Sequence, residues 1–182
     1  MIKLRELEKR DMQIINAWRN DSDLIAYLGA PFRFINPVVD EKWFEAYMSN
    51  RNTQVRCVIV NDNDDVLGLV SLVNIDNLKQ SAVFNIMIGD KDNRGKGVGK
   101  FATKEMLKHA FLNLNLNRIE LAVLTDNQRA IKLYEKIGFV KEGIKRQSNY
   151  KNGKFVDMYM YSILKEEFWV KFETNNLNFL IK

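Results

Sequence analysis

Hydrophobic and polar positions change period along this chain. Residues 2–7 (IKLREL) alternate, which predicts a short strand. From Asp11 the spacing turns helical: Ile14, Ile15 and Trp18 share one face, with Asp11 as the expected N-cap. A second helix is predicted after Pro37, carrying Trp43, Phe44, Tyr47 and Met48, and Gly29–Pro37 reads as a loop. Strands follow at Val55–Val60, Val66–Ile75 and Ala82–Gly89, with turn residues 61–65 between the first two. Short connections make these an antiparallel meander. The next helix, Val98–Leu114, has a broad apolar face through Phe101, Ala102, Met106 and Phe111. Then come a strand at Arg118–Leu124 and a helix at Asn127–Ile137 closed by Gly138. Two last strands, Phe139–Arg146 and Phe155–Leu164, flank a turn at Asn149–Gly153, and the tail from Lys165 adds a helical turn. The order predicts an α/β fold built on a mixed, α+β-type sheet. At least one parallel pair must bridge the Val98–Leu114 helix.

Length and composition narrow the class. The 182 residues, 46% hydrophobic and 28% charged, suit one soluble domain with a core that needs no staples. The single cysteine, Cys57, allows no internal disulfide and no thiolate metal cage, and it reads as a small apolar strand residue. No apolar run is long enough to span a membrane, and the charged N-terminus is unlike a signal peptide, so a cytoplasmic protein is expected. Charge is unevenly spread. Residues 1–90 hold 10 Lys/Arg against 13 Asp/Glu, and residues 91–182 hold 18 against 10. The basic half suits an anionic ligand, although solvated helix faces would give the same sum. Its basic residues are interleaved with acids and lack stacking aromatics, so nucleic acid is not expected as a partner.

The most informative stretch is Asn93-Arg-Gly-Lys-Gly-Val-Gly-Lys100, between a strand and a helix. Alternating glycines let the backbone turn tightly and approach a ligand. Free N–H groups at a helix N-terminus, backed by the dipole and by Arg94, Lys96 and Lys100, suit a phosphate. A Walker A loop fails, because Arg94 and Phe101 stand where Gly and Ser/Thr are needed. A dinucleotide loop counted from Gly95 fails at Lys100.

Arg94-x-x-Gly97-x-Gly99 resembles the Gln/Arg-x-x-Gly-x-Gly/Ala signature of the GNAT superfamily of N-acetyltransferases. A second stretch, Asn127-x-x-Ala130-x-x-x-Tyr134-x-x-x-Gly138-Phe139, is similar to that family's downstream signature. Glu142-Gly143, Arg146, Gly153-Lys154 and Asp157 resemble the closing strands of one branch, which holds ribosomal-protein alanine, spermidine and amino-sugar-nucleotide acetyltransferases. The resemblance implies the GNAT acyl-CoA N-acyltransferase fold, with about seven strands and helices on both faces. It covers one domain, 1–182: residues 1–54 on the acceptor side, 55–164 as the acetyl-CoA-binding core, and 165–182 as a tail.

The resemblance also implies roles. Acetyl-CoA would be the acetyl donor, with no metal. Its diphosphate would sit on backbone amides of Arg94, Gly95, Lys96 and Gly97, continuing through Val98, Gly99 and Lys100. Its pantetheine arm would pair with exposed backbone at Met87, Ile88 and Gly89, as in strand addition. Asn127 would touch the CoA arm, though Asn at that place also suits a helix cap. Tyr134 would protonate the leaving thiolate, although alone it reads as a packed helix tyrosine. Relatives often carry Glu as base where this chain has Val83, which leaves Asn85 with a relay water, or Glu120, as substitutes. His109 reads as a surface or packing residue. Arg19, Phe32, Arg33, Asn85 and Tyr150 are the expected acceptor contacts. The implied reaction is direct attack of a primary amine in a ternary complex. A small acceptor is expected: an amino-sugar nucleotide, which Arg19 and Arg33 would suit, or a polyamine, which the acidic N-terminal half would suit. A protein N-terminus and a non-catalytic CoA-binding module remain as alternatives, and a homodimer is compatible with all of them.

Overall fold

A computed structural model describes residues 1–89 and 91–180. The expected N-terminal strand is β1 (Lys3–Glu6), and the expected meander appears as β2 (Val55–Val60), β3 (Val66–Asp76) and β4 (Ser81–Ile88). Three helices lie between β1 and β2: α1 (Met12–Arg19), α2 (Ser22–Ala26) and α3 (Pro37–Ser49). The second half runs α4 (Val98–Lys108), β5 (Arg118–Leu124), α5 (Gln128–Ile137), β6 (Val140–Lys151), β7 (Lys154–Leu164) and α6 (Lys165–Leu180). The seven strands form one mixed sheet in the order β1-β2-β3-β4-β5-β7-β6. Its parallel pair is β4 with β5.

Helix ends follow the capping chemistry, with one exception. Asn36 caps α3 through Val38 N at 2.8 Å, and Asn127 caps α5 through Ala130 N at 3.1 Å. Asp11 does not cap α1 as the sequence suggested. Its buried carboxylate instead takes both arms of Arg5, at 2.9 and 3.1 Å, and the Glu8 amide at 2.8 Å. A bidentate guanidinium outcompetes one helix amide for the same oxygens. Helix α2 went unforeseen because five residues carry too little periodicity to announce a helix; Asp21 caps it through Asp23 N and Leu24 N. The predicted Val98–Leu114 helix changes at His109 into a wider π turn that keeps Ala110 and Phe111 buried.

Two apolar clusters cover the two faces of the sheet. Phe84, Ala102, Met106, Phe111, Ile119 and Tyr161 belong to the larger, under α4, α5 and α6. Ile15, Trp18, Leu24, Tyr47 and Val58 belong to the smaller, under α1 to α3. The tail is far more than the single helical turn expected: α6 is a 16-residue helix, and its buried Phe168 packs 5.5 Å from Phe111.

The closing hairpin differs most from its sequence reading. The polar run after Arg146 suggested a turn at Asn149–Gly153. The strand β6 instead continues to Lys151 through a register shift at Lys145/Asn149, with Gln147 at φ 47°. Asp157 accepts the Gln147 amide at 2.7 Å and holds that bulge. The reversal is a two-residue turn, Asn152 (φ 49°) and Gly153 (φ 82°), whose handedness matches the strand twist.

Candidate active site

Strands β4 and β5 are paired only from Ser81 to Val83 against Arg118 to Glu120. Beyond that they separate, while β4 stays bonded to β3 as far as Ile88. The side of β4 that faces β5 between Phe84 and Ile88 therefore has no strand partner, and a row of N–H and C=O groups is open to a ligand. The gap widens into a cleft of about 1110 Å³. One end reaches the glycine turn and α5, and the other reaches α1, α3 and the ends of β2 and β3.

The glycine turn has the tight backbone that its glycines predict. Gly95 and Gly97 have φ of 83° and 86°, which L side chains rarely adopt, and Gly97 is the N-cap of α4. A Cβ on Gly95 would stand 2.7 Å from the Arg129 guanidinium, whereas one on Gly97 would meet nothing within 4 Å. So both glycines are needed for their backbone angles, since the Arg129 tip is the end of a flexible side chain that can move aside. Arg94, Gly95, Gly97, Gly99 and Lys100 line the cleft, as do Met87, Ile88, Asn127 and Tyr134. Lys96 lies exposed outside the lining, and Val98 is a core residue.

Two expected contacts have their polar groups engaged within the protein. Gly89 is buried: its amide donates to Leu67 O at 3.0 Å, and its carbonyl accepts from Arg94 at 3.2 Å. The Trp18 ring lies so close that a Cβ there would approach it to 2.1 Å. Asn127 gives its Oδ1 to the α5 cap and its Nδ2 to Tyr27 O at 3.0 Å, so it ties the loop after α2 to α5. Arg94 continues that tie, its guanidinium 5.5 Å from the centre of the Tyr27 ring.

Tyr134 is buried, edge-on to Phe84 at 6.4 Å and to Phe139 at 5.6 Å. Those rings fix its orientation. Among the described residues its hydroxyl has no hydrogen-bond partner, and burial pushes the phenol well above its ordinary value. Of the two substitutes for the missing Glu, Glu120 does not line the cleft and Asn85 does. Glu120 is held by Arg118 at 3.3 Å, and Val83 stands in the lining. Asn85 lines the wall opposite Ser71 of β3. His109, outside the lining, bonds Asn113 at 3.2 Å.

Of the expected acceptor contacts, Arg19 and Asn85 line the cleft, and Phe32, Arg33 and Tyr150 do not. Phe32 sits edge-on to Phe34 at 5.3 Å, and Tyr150 to Phe155 at 5.2 Å, all exposed. Sequence reasoning missed Trp43 and Arg56 in the lining, and also Asn149 and Lys151 behind it. Lys151 Nζ donates to Ile25 O at 2.8 Å and to Ala30 O, and Asn149 Nδ2 donates to Gly29 O at 2.6 Å. The β6–β7 hairpin thereby pins the loop that forms one cleft wall. The lysine's reach across more than a hundred positions left no local signal.

Comparison with known proteins follows this geometry. A family profile described as an acetyltransferase (GNAT) domain matches residues 2–140. The chain is 29% identical to the spermidine N(1)-acetyltransferase of Vibrio cholerae, covering 92% of this chain and 95% of that protein. It is 30% identical to the uncharacterized N-acetyltransferase p20 of Bacillus licheniformis, covering 92% and 94%. The crystal structure of the Vibrio cholerae spermidine N-acetyltransferase in complex with CoA and spermine superposes with a TM-score of 0.87 at 28% identity, covering 92% of this chain and 98% of that one.

Proposed function

This chain belongs to the GNAT acetyltransferase family, and on that premise we propose that it transfers the acetyl group of acetyl-CoA to a primary amine within a ternary complex. The observation that carries this reading is the Tyr134 hydroxyl, unpartnered among the described residues and lining the gap where β4 and β5 part. In this reading the chain is one unit, with residues 1–54 on the acceptor side, 55–164 holding the donor, and 165–182 as a C-terminal tail.

The donor's diphosphate would lie on the amides of the turn between Gly95 and Gly99, at the N-terminus of α4. Arg94, Lys100 and Arg129 line that end and would balance its charge. The pantetheine amides would add to the open side of β4 in the manner of an extra strand. The thioester then lies beside Tyr134. The amine nitrogen attacks the carbonyl carbon, a C–N bond forms, and the C–S bond breaks. The nitrogen's surplus proton leaves to water, for which Asn85 and Ser71 offer a polar wall. The Tyr134 phenol gives its proton to the departing sulfur and regains one from solvent. Burial keeps the phenol protonated at neutral pH. The same dry surroundings disfavour a bare thiolate, so donor and acceptor of that proton rise together.

Among the described residues, no Asp or Glu lines the cleft. Val83 in place of a carboxylate therefore favours a second reading, a CoA-binding module without turnover. Thiol release over a panel of amines separates the two. Release that requires an amine supports the transferase; acetyl-CoA uptake without release from any amine supports the module.

A further inference from the structure

The end of the cleft away from the glycine turn carries a charge arrangement that acetyl transfer does not itself require. Trp43 of α3 has two guanidinium groups over its ring: Arg19 at 5.6 Å and Arg56 at 4.6 Å from the centroid. Arg19 is neutralised by Asp40, a wholly buried carboxylate that also accepts from Asn16 at 2.6 Å. Arg56 has no carboxylate partner among the described residues. Its Nε donates to Gln54 Oε1 at 2.9 Å, and the rest of its fork is unused there. It is half-buried, and burial together with Arg19 works against its charge. A guanidinium does not shed its proton near neutral pH, so the Trp43 ring and Gln54 offset part of its burial, and the unused side of its fork is left accessible to an anion in the cleft.

Strand register says where that anion would sit. Arg56 of β2 stands directly opposite Ser71 of β3, which stands directly opposite Asn85 of β4. All three line the cleft and form one polar row that ends at the parted strands. Two strand spacings separate β2 from β4, roughly 10 Å. Arg19 and Arg56 are the Lys/Arg side chains at this end of the cleft, the others lying by the glycine turn and on α5, and no acidic side chain lines the cleft among the described residues. A polyamine brings several positive charges and would find no counter-charge there.

Building on the transferase reading, we propose that the acceptor is a small primary amine carrying a carboxylate or phosphate several bonds from its nitrogen, and that Arg56 is the residue that selects it. Arg56 is a specificity-determining residue, with the Trp43 ring and Arg19 fixing its fork.

The test compares acceptors that share an amine and differ only at the far end: 6-aminohexanoate, hexylamine and 1,6-diaminohexane, with glucosamine 6-phosphate against glucosamine as the phosphate pair and spermidine as the polycation. The expected result is kcat/KM at least about ten-fold higher for the anionic member of a pair. The pair with the larger ratio tells carboxylate from phosphate. Arg56→Gln should raise KM for the anionic acceptor about ten-fold and leave kcat and the acetyl-CoA KM nearly unchanged, while Arg56→Lys should keep part of the preference. The wild-type ratios decide the matter even if a variant folds poorly. Preference for 1,6-diaminohexane, spermidine or a peptide amine over the anionic acceptors would overturn the inference and leave the transferase reading intact, as would a rise in acetyl-CoA KM alone in Arg56→Gln. Thiol release from no amine at all, with acetyl-CoA still bound, would overturn the transferase reading and this inference with it.

Discussion

The two ends of the cleft are built in opposite ways. At the donor end, the residues that shape the site are near neighbours in sequence: the turn 94–100 opens α4, and Asn127 and Tyr134 lie on one helix start and its second turn. At the acceptor end, Arg19, Trp43, Arg56, Ser71 and Asn85 come from five different elements. The wall behind them is pinned by Lys151, more than a hundred residues away from its carbonyl partners. A site that holds a diphosphate needs a local backbone shape, which a short motif encodes. A site that discriminates among amines needs side chains converging from many elements, and these can change one at a time.

That contrast can be broken by substitutions that act at one end only. The largest expected effect is at the junction. Tyr134→Phe should lower kcat by about 100-fold or more, the scale of a lost general acid, with acetyl-CoA affinity within about two-fold of the original. Stopped assays with calorimetry check both, and equal turnover would remove the phenol from the reaction. Next is Gly89→Ala, since the new methyl would overlap the buried Trp18 ring. It should cost about 2–3 kcal/mol and lower the thermal midpoint by about 5–10 °C. An unchanged midpoint would mean that Trp18 can yield.

Gly97→Val isolates the donor end. No atom lies within 4 Å of the added Cβ, so the penalty comes from φ 86° alone. Backbone strain of about 1–3 kcal/mol should weaken acetyl-CoA binding about 10- to 100-fold. The acceptor preference among those molecules still turned over should stay the same. A changed preference would mean that the two ends are not independent.

The smallest effect belongs to the sheet that supports both ends. Arg118 grips Glu142 at 2.6 Å and lowers its carboxyl pKa from 4.5 to about 2. The pair is partly exposed, so its contribution is under about 1 kcal/mol. Because the folded pKa is depressed, that contribution is complete above about pH 4.5 and disappears as pH falls through 2. Glu142→Gln should therefore lower stability slightly at neutral pH and not at all below pH 2, as urea midpoints at the two pH values would reveal.

The same division explains what could be read from the sequence. Periodicity located the seven strands and the helices α1, α3, α4 and α5, because each buries a continuous face, but it gave the tail only one turn where the 16-residue α6 stands. It failed where a tertiary contact overrode a local signal. The run Arg146-Gln-Ser-Asn149 looks like a loop, yet it extends β6, because Asp157 holds its bulge and Lys151 anchors its end. Asp11 looks like a cap, yet Arg5 claims it. Phe32, Arg33 and Tyr150 were reasonable acceptor contacts by position in a loop, and only the fold shows that they line no part of the cleft. Arg56 gave no signal because an arginine in an alternating strand is ordinary. What distinguishes it is the lack of a carboxylate beside it among the described residues, and that is visible only in three dimensions.

The central claim is that the parted strands and the glycine turn together hold acetyl-CoA. Amide hydrogen exchange with and without acetyl-CoA tests it most directly. The account predicts new protection of the amides from Gly95 to Gly99 and along β4 from Phe84 to Ile88, in the same titration. Protection confined to other segments, or no change at saturating acetyl-CoA, would contradict it.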